Sequence, residues 1–144
     1  MKISSLAFNK IKEFEGLRTE AYLDAAGVPT IGYGHTRDVH IGDRISPYWA
    51  EHLLKEDIER VEREVERLKV ARTQGQLDAL VSFAFNVGPE QLRKSKLLSE
   101  IRKRTSAAAI RREFMRWVYA GGKRLRGLER RRQWEVTRFF ESEY

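Results

Sequence analysis

EGLRTEAYLDAAGVPTIGYGHT, residues 15–36, is the stretch on which the reading of this chain turns. It holds two carboxylates and a hydroxyl, Glu15, Asp24 and Thr30, separated by eight and then five residues. Gly27, Gly32 and Gly34 break residues 22–36 into short strands, with Ala25-Ala26-Gly27 as the expected turn. Asp24 stands before that turn and Thr30 after it, so a hairpin brings them near each other across the loop. Cleavage of a glycosidic bond commonly uses one carboxylic acid to protonate the leaving oxygen and one carboxylate to help water attack.

Upstream, Ser4 or Ser5 can cap a first helix, and Ala7, Ile11 and Glu15 recur at four-residue spacing on one side of it. Phe8 and Phe14 widen this apolar stripe, and Gly16 is a natural stop. Glu15 is therefore expected in the last turn on the apolar side. Such a setting favours a protonated carboxyl, the form that a general acid needs.

Downstream, residues 40–47 read as loop, with Ser46-Pro47 as a helix start. A long helix over 47–69 follows, with Ala50, Leu53, Leu54, Ile58, Val61, Val65 and Leu68 as a narrow apolar stripe amid dense Glu and Arg. A helix so charged suits a largely solvated strut between two lobes. Thr73 caps the next helix, 74–86, whose LDALVSFAF is apolar nearly all round, and Gly88-Pro89 ends it. Further helices are expected over 97–104, 106–118 and 128–142, the last ending on Ser142, with the AGGK at 120–123 as a turn. The expected fold class is α+β, mainly helical. A small β lobe at about 16–46, the connecting helix, and a helical lobe at about 70–144 that includes the N-terminal helix form one domain.

At 144 residues the chain is the size of one compact domain. Zero cysteines exclude a disulfide, a thiol nucleophile and a thiolate metal site, and His35, His40 and His52 lack the spacing of a zinc site. No apolar run approaches the ~20 residues that cross a bilayer, and the N-terminal residues lack the pattern of an export signal. The net charge of +7 is uneven: residues 1–101 hold 15 Lys/Arg against 16 Asp/Glu, and residues 102–144 hold 13 against 5. Such a field favours polyanions, whether nucleic acid, anionic lipid or acidic cell wall.

The 15–36 string resembles the active-site segment of the phage-type lysozymes, the endolysin muramidases of glycoside hydrolase family 24. QLDALVSFAFNVG at 76–88 and EFMRWVYAGGKRLRGLERRRQWE at 113–135 resemble segments of the same family, in the same order. The resemblance implies a lysozyme-like two-lobe fold and hydrolysis of the β-1,4 bond between N-acetylmuramic acid and N-acetylglucosamine in bacterial peptidoglycan. No cofactor and no metal are implied, and the expected state is a monomer without a required protein partner. Location in the host cytoplasm until release onto the cell wall is expected.

Matched by motif, Glu15 is the general acid, Asp24 the base that activates water, and Thr30 the residue that helps to hold that water. The resemblance further implies that His35 pairs with Asp57 on the long helix as structural support. Gly32 and Gly34 allow close backbone approach in the hairpin. Asn86 is implied to contact an N-acetyl sugar or to cap its helix, while Trp117 and Tyr33 either line the substrate groove or pack inward. Arg131 is implied to stand against the catalytic glutamate, with its neighbours Arg130 and Arg132 solvated or facing the polymer.

Two other classes of function fit parts of the chain. A glycan-binding protein of the same fold would lack the acid or the base, and neither is missing here. A basic module for nucleic acid or membrane would use the cationic last segment, where Trp117, Tyr119 and Trp134 could stack on bases. The arginines there fall on both sides of the expected last helix, which favours a surface that steers the protein to the wall, with nucleic acid bound only non-specifically.

Overall fold

The structure, a computed structural model, describes residues 1–141. It is α+β and mainly helical, with seven helices and two antiparallel two-stranded hairpins among the described residues. The chain packs as two compact units, Phe8–Arg60, and Met1–Ala7 together with the chain from Val61 onward. Most of the first helix thus groups with the first hairpin, and the long helix contributes to both units.

Helix α1 (Ser5–Glu15) starts where the Ser4 hydroxyl accepts the Ala7 N–H at 3.1 Å. It stops at Gly16, which at φ +70° donates its N–H to the Lys12 carbonyl. Strands β1 (Arg18–Leu23) and β2 (Pro29–Gly32) pair with Tyr22 opposite Thr30 and Leu23 opposite Pro29. Strand β1 begins four residues before the expected Tyr22, and on its other edge it also bonds to a segment that reads as loop. Ala21 donates to the Asp43 carbonyl and Ile45 to the Thr19 carbonyl. No residue of β1 is buried, so no inside–outside alternation announces it.

Ile31 and His35 exchange both backbone bonds around Gly32-Tyr33-Gly34, a second tight reversal. Helix α2 (Pro47–Leu68) buries Ala50, Leu54, Ile58 and Val65, the spine of the expected stripe. A Cβ on Gly32 would sit 3.2 Å from that of Ala50, so the end of β2 lies directly on the start of α2.

In the other unit, the Thr73 hydroxyl caps α3 (Gln74–Val87) by accepting the Gln76 N–H. Leu77, Leu80, Val81, Phe83 and Ala84 are completely buried, mainly against α7 (Arg126–Phe139). The two backbones touch at Gly75, where a Cβ would lie 2.3 Å from the Arg138 carbonyl oxygen. Gly88 closes α3 as expected, but Pro89 then opens a short helix α4 (Pro89–Lys94) outside the expected helices, followed by α5 (Lys96–Arg102).

Helix α6 (Ala107–Phe114), capped by Ser106, is shorter than the expected 106–118. Its last turn tightens as Arg116 and Trp117 donate three residues back, and the chain enters a second hairpin. Strands β3 (Tyr119–Ala120) and β4 (Lys123–Arg124) flank Gly121 and Gly122, at φ +58° and +77°. Two successive positive φ values suit the hairpin turn that glycine favours. Helix α7 begins two residues before the expected Leu128, and the Ser142 expected at its end lies outside the described residues. Its Val136 and Phe139 are buried in the core.

A polar clamp fixes the ends of this unit. Asp78, fully buried within the apolar run of α3, accepts the Ser4 N–H at 2.9 Å, the Ser4 hydroxyl at 2.6 Å and two Arg138 nitrogens at 2.8 Å. A buried charge persists only when paired and hydrogen-bonded. Replacing Asp78 by Ala is expected to cost about 1–3 kcal/mol, because it leaves two Ser4 donors without their buried acceptor and takes from Arg138 one of its two carboxylates, Glu141 being the other. Urea denaturation measures this; a loss below about 1 kcal/mol would show that the clamp is not what fixes the N-terminus.

Candidate active site

The helical spacing that ends in Glu15 places its carboxylate, half-buried, on the second reversal of the first unit. A Cβ added to Gly34 would fall 2.8 Å from Glu15 Oε1. Gly34 also has φ +76°, a conformation that L side chains rarely adopt. The carboxylate therefore rests against a residue that has no side chain. Tyr33 is half-buried, with Lys12 Nζ 5.6 Å from its ring centroid, and Lys12 in turn pairs with Glu51 at 3.3 Å.

Asp24 sits at the first turn and shapes it. Its Oδ1 accepts the N–H groups of Ala26 at 2.8 Å and Val28 at 2.9 Å, while its backbone bonds to Val28 and Gly27 close the loop. Its Oδ2 accepts no hydrogen bond among the described residues. Thr30, one of the few buried polar residues of the hairpin, donates its hydroxyl proton to the Val28 carbonyl at 2.8 Å. The Thr30 oxygen thereby keeps its lone pairs for an incoming donor. Asp24 and Thr30 share Val28 as a common anchor, which is the proximity that the hairpin reading anticipates.

His35 is buried between two acceptors. Its Nδ1 lies 2.8 Å from Asp57 Oδ2 and its Nε2 3.0 Å from the Arg37 carbonyl. The Asp57 carboxylate and the Arg37 carbonyl are both acceptors, so the ring is held between them as a donor. Asp57 also accepts from Arg60, one turn along α2. The ring is enclosed by structural partners and ties the reversal to α2.

The second unit contains Asn86, Trp117 and the arginine run. Asn86 is exposed at the end of α3, and its Oδ1 accepts from Arg132 Nη2 at 2.7 Å. Gly88 makes the helix-closing bond to Ala84, so the Asn86 side chain is not the cap. Since guanidinium only donates, this bond turns the amide oxygen inward and its NH2 outward. Trp117 is half-buried and stands edge-on to Phe83, with centroids 5.4 Å apart.

Arg130 alone of the three adjacent arginines is exposed. Arg132 was expected in solvent or on the polymer but is fully buried, its Nε 2.8 Å from Glu135 Oε1 and its guanidinium 4.9 Å from the Phe83 ring centroid. Arg131 is buried as well, donating to the Ser82 carbonyl at 3.0 Å with its Nε 3.5 Å from Glu135 Oε2. Burial pushes the Glu135 carboxyl up and the Arg132 guanidinium down, as desolvation disfavours each charge; their mutual attraction and the Ser82 hydroxyl act in the opposite sense for Glu135. The signal for this network was present in the sequence. Glu135 follows Arg131 and Arg132 at four- and three-residue spacing, which places all three on one helical face.

The sequence profile of the phage lysozyme family matches residues 12–135. The chain belongs to the phage lysozyme family. It is 45% identical to the endolysin of Bacillus phage B103, over 99% of this chain and 56% of that protein. It is 42% identical to the endolysin of Acyrthosiphon pisum secondary endosymbiont phage 1, over 96% of this chain and 98% of that one. The chain thus spans little more than half of the Bacillus phage protein and nearly all of the other. Among solved structures, the muramidase domain of SpmX from Asticaccaulis excentricus superposes with a TM-score of 0.88 at 34% identity, covering 98% of this chain and 99% of that chain. The α+β, mainly helical fold of this phage lysozyme family member is the lysozyme fold.

The support at His35 yields a stability expectation. Asp57→Ala removes the acceptor shared by His35 and Arg60 and should cost about 1–3 kcal/mol, the penalty for stranding buried donors. Thermal unfolding followed by circular dichroism reads it, and an unchanged Tm would deny His35–Asp57 its structural role.

Proposed function

We propose that this chain is a muramidase that hydrolyses the β-1,4 bond between N-acetylmuramic acid and N-acetylglucosamine in bacterial peptidoglycan. The observation that carries the reading is the division of labour within Asp24. One of its oxygens is fixed by two backbone N–H groups and the other takes no hydrogen bond among the described residues. A carboxylate held in this way has a defined orientation and an open acceptor, as a base for water requires.

Glu15 is the proposed acid, which passes its proton to the leaving glycosidic oxygen. Water gives one proton to Asp24 Oδ2 and attacks the anomeric carbon from the opposite face. Thr30 accepts the other O–H of that water, since its own proton is already given to Val28. Attack by water, with no covalent glycosyl intermediate, inverts the anomeric centre and needs carboxyl groups roughly 6.5–9.5 Å apart. The outward NH2 of Asn86 is a donor suited to an acetamido carbonyl, and Trp117 and Tyr33 are proposed as sugar contacts. His35, Asp57, Arg131, Gly32 and Gly34 are proposed as supports of the site. The family membership and the muramidase named among the similar structures support the reaction class.

The test uses turbidity of a peptidoglycan suspension together with mass spectrometry of the products. Wild type should clear the suspension and leave reducing muramic ends. Glu15→Gln should show no clearing above buffer, a loss of at least about 10³-fold. Asp24→Asn keeps an oxygen for the Ala26 and Val28 N–H groups, so it should fold normally and lose activity to a similar degree. Clearing unchanged by Glu15→Gln would remove the acid assignment. Anhydro-muramic ends would make the enzyme a lytic transglycosylase, and binding to the wall without clearing would make it a glycan-binding protein.

A further inference from the structure

We propose that Gly34 is a positioning residue for the acid. It sets the position of the Glu15 carboxylate by leaving room for nothing larger than hydrogen at its Cα, an inference that rests on Glu15 being the proton donor. Of the eight glycines with positive φ, Gly34 alone would direct a Cβ to within 3.0 Å of another atom, and that atom is Glu15 Oε1 at 2.8 Å. Gly32 would meet Ala50 at 3.2 Å, while Gly16, Gly27, Gly42, Gly121 and Gly122 would meet nothing within 4 Å. The hairpin therefore contains one glycine whose missing side chain is occupied by the catalytic carboxylate itself.

The two requirements on Gly34 act on different properties. Its φ of +76° makes any L residue strained, whatever the space around it, and that strain falls on stability. The contact with Oε1 falls on geometry. Real carbon–oxygen contacts lie beyond 3.0 Å, so a methyl group must push the carboxylate aside. The obstructed atom is the far end of a flexible side chain, which can yield while the fold persists. The expected result is a folded protein with a displaced acid. A displacement of about 1 Å in a catalytic group can cost about 10²-fold in rate.

Gly122 provides the matched control. It has φ +77°, a Cβ there meets nothing within 4 Å, and it lies in the exposed β3–β4 turn. Gly34→Ala and Gly122→Ala should therefore lower Tm by similar amounts, about 3–8 °C each. On soluble glycan strands, Gly34→Ala should lower kcat by about 10–100-fold with KM within about threefold, whereas Gly122→Ala should keep both within about twofold. The pH at which kcat falls should also move in Gly34→Ala and not in Gly122→Ala, because the acid has changed surroundings.

Full kcat in folded Gly34→Ala, or equal losses in the two variants, overturns the proposal. If Gly34→Ala does not fold, Glu15→Ala in the same chain decides. Recovery of Tm to that of Gly122→Ala supports an overlap with Glu15, and no recovery overturns it. Should Glu15→Gln prove active, the assignment of the acid fails on its own, an outcome distinct from full kcat in Gly34→Ala with Glu15→Gln inactive.

Discussion

One oxygen of Asp24 closes a turn, and that bond is what makes the rest of the hairpin useful. By accepting from Ala26 and Val28 it sets the reversal between β1 and β2. The reversal fixes the Val28 carbonyl, and that carbonyl takes the proton of Thr30. A single carboxylate thereby decides its own orientation and the direction in which its neighbour can accept. Preorganised acceptors of this kind avoid reorganisation at the moment of reaction. The same unit holds the Glu15 carboxylate by shape, against Gly34, and holds the reversal to α2 through His35 and Asp57.

Polar groups buried in the other unit follow a different logic. Asp78 on α3 and Glu135 on α7 are fully buried, where isolated charges are heavily penalised. Each is answered by arginines of α7 and by a serine, Ser4 for Asp78 and Ser82 for Glu135. Apolar replacements could pack as tightly, so the charges are better read as devices for orientation than for stability alone. Arg132 illustrates the point. It spans from Glu135 in the core to Asn86 at the surface, and so transfers a fixed geometry to an exposed amide.

Much of this was legible from residues alone. The four-residue rhythm Ala7, Ile11, Glu15, the stop at Gly16 and the cap at Thr73 all lie within one or two turns of chain, where local rules suffice. The pairing of His35 with Asp57 was legible only through the family resemblance. What escaped had non-local causes. Strand β1 has no buried residue to show an alternating face, and its second partner is the segment around Asp43–Ile45 rather than a strand of matching pattern. Helix α4 follows so closely on Gly88-Pro89 that the same two residues that end α3 also begin it. Arg132 read as solvated or facing the polymer because adjacent cations suggest a surface, yet a helix separates neighbours by about 100° and turns it inward beside Arg131 while Arg130 stays exposed. The meeting of Glu15 with Gly34 has no sequence signal beyond the presence of the glycine.

The central claim is that Asp24 acts on water and does not itself attack the sugar. The configuration of the newly formed reducing end tests this most directly, recorded by proton NMR in the first moments of hydrolysis, before mutarotation. The account predicts that the α-anomer appears first from the β-linked glycan. Initial release of the β-anomer would mean a covalent intermediate and would contradict it.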